Sequence, residues 1–362
     1  MLSDSKKISI RQAGFLFITY IFTTSINLIP IYTSIKAKQG AWLAPIGVIG
    51  VFILLSFIWQ GFYKQYTNSS LMEIYTDITG RFVGKVLIIL HLFWMFLLTS
   101  LYLRILIHRL VESIYANVNM DIFAIPFLIV IVYTLRFGLV PLARFNEIVF
   151  PLLALVFYML VALILPNIKI KFLTPVTYRS IIPIFQGGVG ILGVFAYFTL
   201  LFIVGDKINN KEKIVKTTLQ ISIFLVLSLT AIISVAIGVF SYKVAQRVHL
   251  PFLIAVKQIS LFNTLEKIES AVLPFWLLSD FVLICFFMIC TLSLLQYLFN
   301  LSSTQPFINI YGILLFILSN LVANNFFEIQ YFFEDFMIYV NIFFGFILPT
   351  LILIIGKIRK KV

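Results

Sequence analysis

Asp280 lies about nine residues into the apolar stretch 271–298, roughly 14 Å along a helix axis, among Phe, Leu and Ile. An ionisable group at such depth costs about 2.5–3.5 kcal/mol on insertion scales and usually faces a bundle interior. There it can exchange a proton, hold an amine, or pair with a buried base. Trp276, Asp280 and Phe287 share one helix face. His91 is the second titratable group within an apolar run. It suits a proton relay, or a neutral imidazole hydrogen-bonded to a neighbouring helix. The third feature is Thr23-Thr24-Ser25-Ile26-Asn27-Leu28-Ile29-Pro30, in the middle and outer part of the first apolar run. Pro30 lacks a backbone donor and crowds the preceding turn, and it pushes Ile29 away from helical geometry. Backbone groups freed within a membrane are tolerated only where they line a cavity or are buried in protein. The segment therefore reads as a ligand-facing break in a helix.

The elements that must position these residues are membrane helices. Of 362 residues, 61% are hydrophobic and 11% charged, against about 25% charged in soluble domains. A spanning helix needs about 20 apolar residues. Ten runs qualify: 13–35, 41–63, 84–107, 122–139, 145–165, 182–204, 217–241, 271–298, 306–324 and 336–356. The formal net charge of +13 is no sign of nucleic-acid binding, because the basic residues sit in short loops and at the termini. With the N-terminus inside, the larger share of the 27 Lys and Arg falls on the inner side, led by the 207–216 loop and both termini. Both termini are then cytoplasmic, and no cleavable signal peptide is expected. Arg104, His108 and Arg109 close the third span and are expected to snorkel to lipid headgroups. Leu71–Tyr75 reads as a short helix on the inner surface. Pro251 opens an amphipathic run (Phe252, Leu253, Val256, Ile259, Phe262) that reads as a helix over the outer mouth.

Ten spans invite comparison of two halves. Span six carries Gly187-Gly188-Val189-Gly190 and Gly193, the counterpart of the Pro30 interruption in span one. Two interrupted spans five apart point to a five-plus-five inverted repeat, with repeat one at about 8–166 and repeat two at about 180–356 of a single transmembrane domain, 1–362. The glycines fit either a break or close helix contact. No cluster has metal-ligand spacing, no glycine loop follows a strand, and no nucleophile neighbours a base. The reading is non-enzymatic, with no cofactor or metal.

Several short motifs, in order and spacing, resemble one family across the chain. They are Ile8-Ser9-Ile10-Arg11-Gln12 at the entry to span one, Thr24-Ser25-Ile26 with Pro30, Ala143-Arg144-Phe145-Asn146-Glu147-Ile148 with Pro151, Pro251-Phe252-Leu253, and Leu265-Glu266-Lys267-Ile268-Glu269 followed by Trp276. The chain resembles the spore germination permeases, the B subunits of bacterial nutrient-germinant receptors, in the amino acid–polyamine–organocation superfamily. The resemblance implies an all-α, leucine-transporter-like fold. It implies a small nutrient such as an amino acid bound where spans one and six unwind, and assembly with an A subunit and a lipoprotein C subunit in the spore inner membrane. Mapped onto this sequence, the site would be Thr23, Thr24, Ser25, Ile26 and Asn27 with Phe195, Ala196, Tyr197, Phe198 and Thr199. The chain departs from the family where Thr23 replaces a frequent glycine and Ala196-Tyr197-Phe198-Thr199 a glycine–aromatic–glutamate. Ser279 also stands where glycine is common, and Asp280 lies outside the pattern, as if replacing the charge missing from span six. A proton-coupled amino acid transporter using Asp280 is the alternative reading.

Overall fold

The computed structural model describes residues 7–114, 119–258, 268–323 and 325–362, without the side chains of Thr23, Asn27 and a few residues beside the gaps. A two-residue strand β1 (Ile8–Ser9) leads into α1 (Ile10–Asn27), α2 (Ile29–Ala37) and α3 (Ala44–Gln65). Next come α4 (Leu71–Thr79), α5 (Arg81–Ile114), α6 (Asp121–Leu135), α7 (Leu139–Ile164), the one-turn α8 (Ile170–Leu173) and α9 (Ile181–Phe195). The α9 span continues as a 3₁₀ stretch, Ala196–Lys207, into β2 (Ile208–Asn209). Then follow α10 (Ile214–Phe240), α11 (Tyr242–Ala245), α12 (Pro251–Val256), α13 (Ile268–Phe299) and α14 (Gln305–Val322). The final span is α15 (Phe326–Phe332), α16 (Ile338–Ile342) and α17 (Leu348–Ile358), joined by π turns at Phe333–Met337 and Phe343–Ile347. The chain folds as an all-α polytopic membrane protein. Among the described residues, eight helical segments are long and apolar enough to cross a membrane. The expected fourth span, α6, is a shorter apolar helix of 15 residues.

Helices dominate because a backbone in hydrocarbon must satisfy its own polar groups. Side chains then decide which face turns inward. In α7 the buried positions Leu139, Leu142, Asn146, Val149, Leu153, Phe157, Leu160 and Ile164 recur every three or four residues. Equally apolar Ile148, Leu152 and Leu155 are exposed, as befits a lipid-facing surface. The 3₁₀ stretch and the middle of α13 differ: Ala196–Gly205 and Val282–Met288 are buried without interruption. Together with α1 and α5 they form the bundle's centre.

The face where α1 begins and α17 ends will be called the terminal face, and the opposite one the distal face. β1 and β2 pair in parallel at the terminal face, Ile8 opposite Ile208 and Ser9 opposite Asn209. Ser9 also caps α1 reciprocally with Gln12, at 3.2 and 2.7 Å. The short helix expected at Leu71–Tyr75 is present as α4, capped in the same way by Ser70 and Glu73. At the distal face, α12 is buried at Pro251, Phe252, Leu253, Ala255 and Val256. It is a plug rather than an amphipathic surface helix. Ile259, Phe262 and the 265–267 part of the following motif lie outside the described residues.

The last span begins at Phe326, ten residues before the expected 336, because Asn325 caps it by accepting from the Glu328 amide at 2.9 Å. At the other end of that span, the chain folds back on α4. Lys361 donates to the Asp77 carboxylate at 3.1 Å, Tyr66 donates to the same carboxylate at 2.6 Å, and Arg359 donates to Ile78 O at 2.7 Å. The Tyr66 hydroxyl, and after it the Lys361 ammonium, hold the Asp77 carboxyl below its ordinary value. A depressed carboxyl contributes stability above its unfolded pKa of about 3.9 and loses it as pH falls through the lower folded value. Protection factors of the α4 and α17 amides, that is, exchange corrected for its intrinsic pH dependence, are therefore expected to be unchanged from pH 7 to 5 and to fall toward pH 3. The change should be small, about 1 kcal/mol or less for so exposed a pair. Asp77→Asn should remove the pH dependence, and a profile unaffected by that substitution would dismiss the clasp.

Candidate functional site

The first interruption is narrower than the sequence suggests. Thr23–Asn27 is helical, and only Leu28 (φ −98°, ψ −32°) separates α1 from α2. Leu28 N–H still reaches Thr24 O at 3.2 Å, and Tyr32 N–H reaches Leu28 O at 3.1 Å. Pro30 sits in the first turn of α2, where its missing donor is not needed. The hydroxyls absorb part of the rest, Ser25 bonding to Ile21 O and Thr33 to Ile29 O, both at 2.8 Å.

The second interruption comes after the glycines. Gly187, Gly188, Gly190 and Gly193 remain inside α9 and are buried. They permit close contact: a Cβ on Gly190 would run into the Tyr32 ring, and one on Gly193 would lie 3.2 Å from Ile338 Cα. The α-helix gives way at Ala196 to twelve residues of 3₁₀ geometry, with a kink at Val204 (φ −101°, ψ 28°). Such a run exceeds the three or four residues usual for this helix type. Facing it is the π turn Phe343–Ile347, whose Gly345 lies directly against Ala196. Thr199 Oγ1 donates to Gly345 O at 2.7 Å and accepts from Trp59 Nε1 at 3.0 Å.

A buried polar chain joins the two interruptions. Thr24 Oγ1 donates to Tyr102 OH at 2.8 Å, and Tyr102 OH lies 2.9 Å from Tyr197 OH. Asn341 Nδ2 donates to Tyr197 OH at 2.9 Å, while Trp94 Nε1 donates to Asn341 Oδ1 at 2.8 Å. Tyr20 OH donates to the Tyr197 carbonyl at 2.8 Å. The chain thus ties α1, α5, the 3₁₀ stretch and α16 together. Thr24, Tyr102 and Tyr197 carry one hydroxyl proton each, and the two bonds between them use two. Among the described residues, one phenolic proton is left without an acceptor. Ring edges of Phe287 wall this layer, 5.8 Å from Tyr102 and 5.6 Å from Tyr197.

Aromatic layers close the centre on both sides. Toward the terminal face, Phe198 meets Phe17 at 5.2 Å and Phe52 at 5.3 Å, Phe195 meets Phe52 at 4.8 Å, and Trp59 stacks on Phe202 at 4.1 Å. Below them Lys211 Nζ sits 4.3 Å over the Tyr63 ring and donates to Gly205 O at 2.6 Å. Toward the distal face, Phe22 meets Phe157 at 4.9 Å, and Phe157 stacks on Phe252 of α12 at 5.7 Å. Ile26 belongs to the same distal cluster. Of the sequence-expected residues, the structure brings together Thr24, Tyr197, Phe198 and Thr199. Ser25 turns to its own helix, and the side chains of Thr23 and Asn27 are outside the described set.

Asp280 stands nearer the distal face, ion-paired with Arg109. Both are buried, 3% exposed, and the Arg109 guanidinium also lies 5.7 Å over the Trp276 ring. Arg109 and its neighbours therefore do not snorkel to headgroups. Arg104 is buried too, donating to Ala323 O at 2.7 Å and Asn320 Oδ1 at 2.9 Å, and His108 is 6% exposed. They turn inward because α5 runs on to Ile114, past the expected span end, and because carbonyl, amide and carboxylate partners await them inside. His91 is fully buried, with Nδ1 2.9 Å from Leu87 O on its own helix and Phe344 at 4.7 Å. Tyr20, Tyr102, Trp94, Asn341 and Arg109 escaped the sequence reading as site residues. The legible signals were a lone amide, Asn341, in an apolar run and an arginine short of a carboxylate partner.

A family model described as "Spore germination protein" matches residues 7–327. The Bacillus subtilis (strain 168) spore germination protein KB is 22% identical over 366 residues, covering 99% of this chain and 96% of the relative. The spore germination protein YndE of the same organism is 22% identical over 369 residues, covering 100% and 99%. Among solved structures, Mhp1, a nucleobase-cation-symport-1 family transporter closed around bromovinylhydantoin, superposes with a TM-score of 0.62 at 12% identity, covering 99% of this chain and 82% of that one. MhsT in complex with L-phenylalanine gives 0.58 at 12% identity, covering 95% and 97%. These likenesses show a leucine-transporter-like fold.

The Arg109–Asp280 pair generates a stability prediction. Arg109→Gln strands a buried carboxylate and is expected to cost about 3–5 kcal/mol. The double replacement Arg109→Met with Asp280→Leu should cost far less, because it removes both charges together. Thermal unfolding in detergent distinguishes these outcomes; equal losses would mean that the pair is not the reason for either charge.

Proposed function

Because the chain belongs to the spore germination protein family, we propose that it is the nutrient-sensing membrane subunit of a spore germination receptor. An amino acid or similar small nutrient binds between α1 and the α9 span, against Thr23, Thr24, Ser25, Ile26 and Asn27 on one side and Phe195, Tyr197, Phe198 and Thr199 on the other. The observation that carries this reading is the buried chain Thr24–Tyr102–Tyr197–Asn341, with its spare phenolic proton. It spans both helix interruptions, and a spare donor suits the carboxylate of a free amino acid. Aromatic layers on both sides keep that donor away from water, where a charge-assisted hydrogen bond is strongest.

Binding transmits a bias because the same hydroxyls tie four spans together. A ligand that takes over Tyr197 loosens its bonds to Tyr102 and Asn341, favouring one arrangement of α1, α5 and the last span over another. The bias passes to an A subunit and a lipoprotein C subunit in the spore inner membrane, with both termini cytoplasmic. The basic residues of the 207–216 loop and the C-terminus support that orientation. Ten spans in two inverted repeats, about 8–166 and 180–356, are part of the same proposal, as is the absence of catalysis. Asp280 serves as Arg109's partner here rather than as a proton carrier, and His91 braces Trp94 and Phe344.

The test is a germination dose–response across amino acids and sugars in spores carrying single substitutions, with receptor level checked by immunoblot. Thr24→Leu and Tyr197→Phe are each expected to raise the half-maximal concentration of the cognate nutrient at least about tenfold, the equivalent of 1.4 kcal/mol, at unchanged protein level. Unaltered curves would remove the site from this position. In proteoliposomes, proton-gradient-driven uptake of a labelled amino acid that is lost in Asp280→Asn would replace the sensor with a transporter.

A further inference from the structure

Away from the central site, three spans line an open cavity of about 770 Å³ at the terminal face. Its walls come from α3, α10 and α17, which are far apart in sequence and adjacent in space. Each contributes one lysine, Lys64, Lys216 and Lys357, all exposed. Among the described residues none of these ammonium groups has a hydrogen-bond or ion-pair partner, and Glu212 is the one acidic side chain on the wall. The other wall residues that matter are Phe57, Leu219 and Leu353.

The order along each helix gives the cavity a direction. Phe57 precedes Lys64 by two turns, Leu219 follows Lys216 by one, and Leu353 precedes Lys357 by one. In every case the lysine lies at the terminal-face end and the apolar residue lies deeper in the span. Phe57 and Leu219 are 55% and 44% exposed on the lipid-facing surface. The cavity therefore carries a cationic layer at headgroup height and an apolar layer at acyl-chain height, and it opens sideways to the membrane. Its wall is held in place by Gln60, which donates to Glu212 O at 3.2 Å and accepts from Val215 N–H at 3.3 Å. Isolated snorkelling lysines would share the height but not one cavity.

We propose that this cavity is a binding site for one anionic phospholipid, its phosphate among Lys64, Lys216 and Lys357 and an acyl chain against Phe57, Leu219 and Leu353. An acidic segment of a soluble partner would use the lysines but leave the apolar layer facing lipid. Inorganic phosphate would leave most of the volume unfilled. The occupant joins α3 and α10 to the last span, so it also stiffens the terminal face where Asp77 and Lys361 meet.

The experiment uses the full chain purified in neutral detergent, with native mass spectrometry and thermal unfolding as readouts. Phosphatidylglycerol is compared with phosphatidylcholine of the same acyl chains, inorganic phosphate and a soluble Glu-rich peptide. Phosphatidylglycerol is expected to bind at one site and raise the unfolding temperature; the other three are not. Lys64→Gln/Lys216→Gln/Lys357→Gln should weaken that binding at least about tenfold, as the loss of several charges near an anionic headgroup requires. Arg81→Gln/Lys85→Gln/Lys360→Gln, which removes equal charge elsewhere on the terminal face, should leave it intact. The charge-preserving Lys64→Arg/Lys216→Arg/Lys357→Arg variant guards against misfolding and should retain it. Equal binding of both lipids, equal weakening in the two Gln triples, or preferential capture of the peptide or of phosphate would each overturn the proposal.

Discussion

At membrane depth a backbone N–H or C=O without a partner costs several kcal/mol, and the two helix interruptions at the centre of the bundle answer to that cost. Where α1 meets α2, Leu28 keeps both of its bonds to neighbouring turns, and Pro30 lies in the first turn of α2, where no donor is needed. Where α9 gives way, the 3₁₀ stretch stays fully buried and is faced by a π turn. The π turn leaves a carbonyl, Gly345 O, for the Thr199 hydroxyl. Two irregular segments from different parts of the chain thus satisfy each other. Neither would be stable against lipid alone.

The same constraint governs charge. Asp280, Arg109 and Arg104 are expensive in an apolar interior, and each has found a partner that offsets its desolvation. Their location near the distal plug of α12, Phe157 and Phe252 separates them from the hydroxyl layer around Tyr197. The molecule therefore keeps formal charge on the rim and neutral donors at the centre. A neutral centre in which, among the described residues, one phenolic proton is unspent can accept a polar solute without first breaking an ion pair.

Much of the architecture was legible beforehand. Positions of most apolar runs agreed with the helices to within a few residues; α5 runs seven residues past its expected end, α7 starts six residues early, and the start of the last span was masked by Glu334 and Asp335. The α4 helix was readable because Ser70 and Glu73 form a capping box, a purely local device. The spore germination family was readable from short motifs, and the family match and fold likeness agree with it. The glycines of span six were ambiguous, because close approach to Tyr32 and Ile338 is a property of neighbours that the sequence does not order.

The sequence by itself determined that the chain is a helical membrane protein, where its helices lie, and that Pro30 and Asp280 needed an explanation. Those conclusions rest on length, hydropathy and single-residue chemistry, all of which are local. Only the tertiary structure decided which polar groups meet. Tyr102 and Tyr20 are two of 16 tyrosines, and nothing along the chain distinguishes the pair that reaches Tyr197. Arg109 resembles any interfacial arginine until α5 and α13 lie side by side. Hydrogen bonds act over about 3 Å, so the identity of a partner is a fact of three-dimensional approach. That is why the polar stretch from Thr23 to Asn27 could be singled out from the sequence, while the hydrogen bond that Thr24 makes to Tyr102 could not.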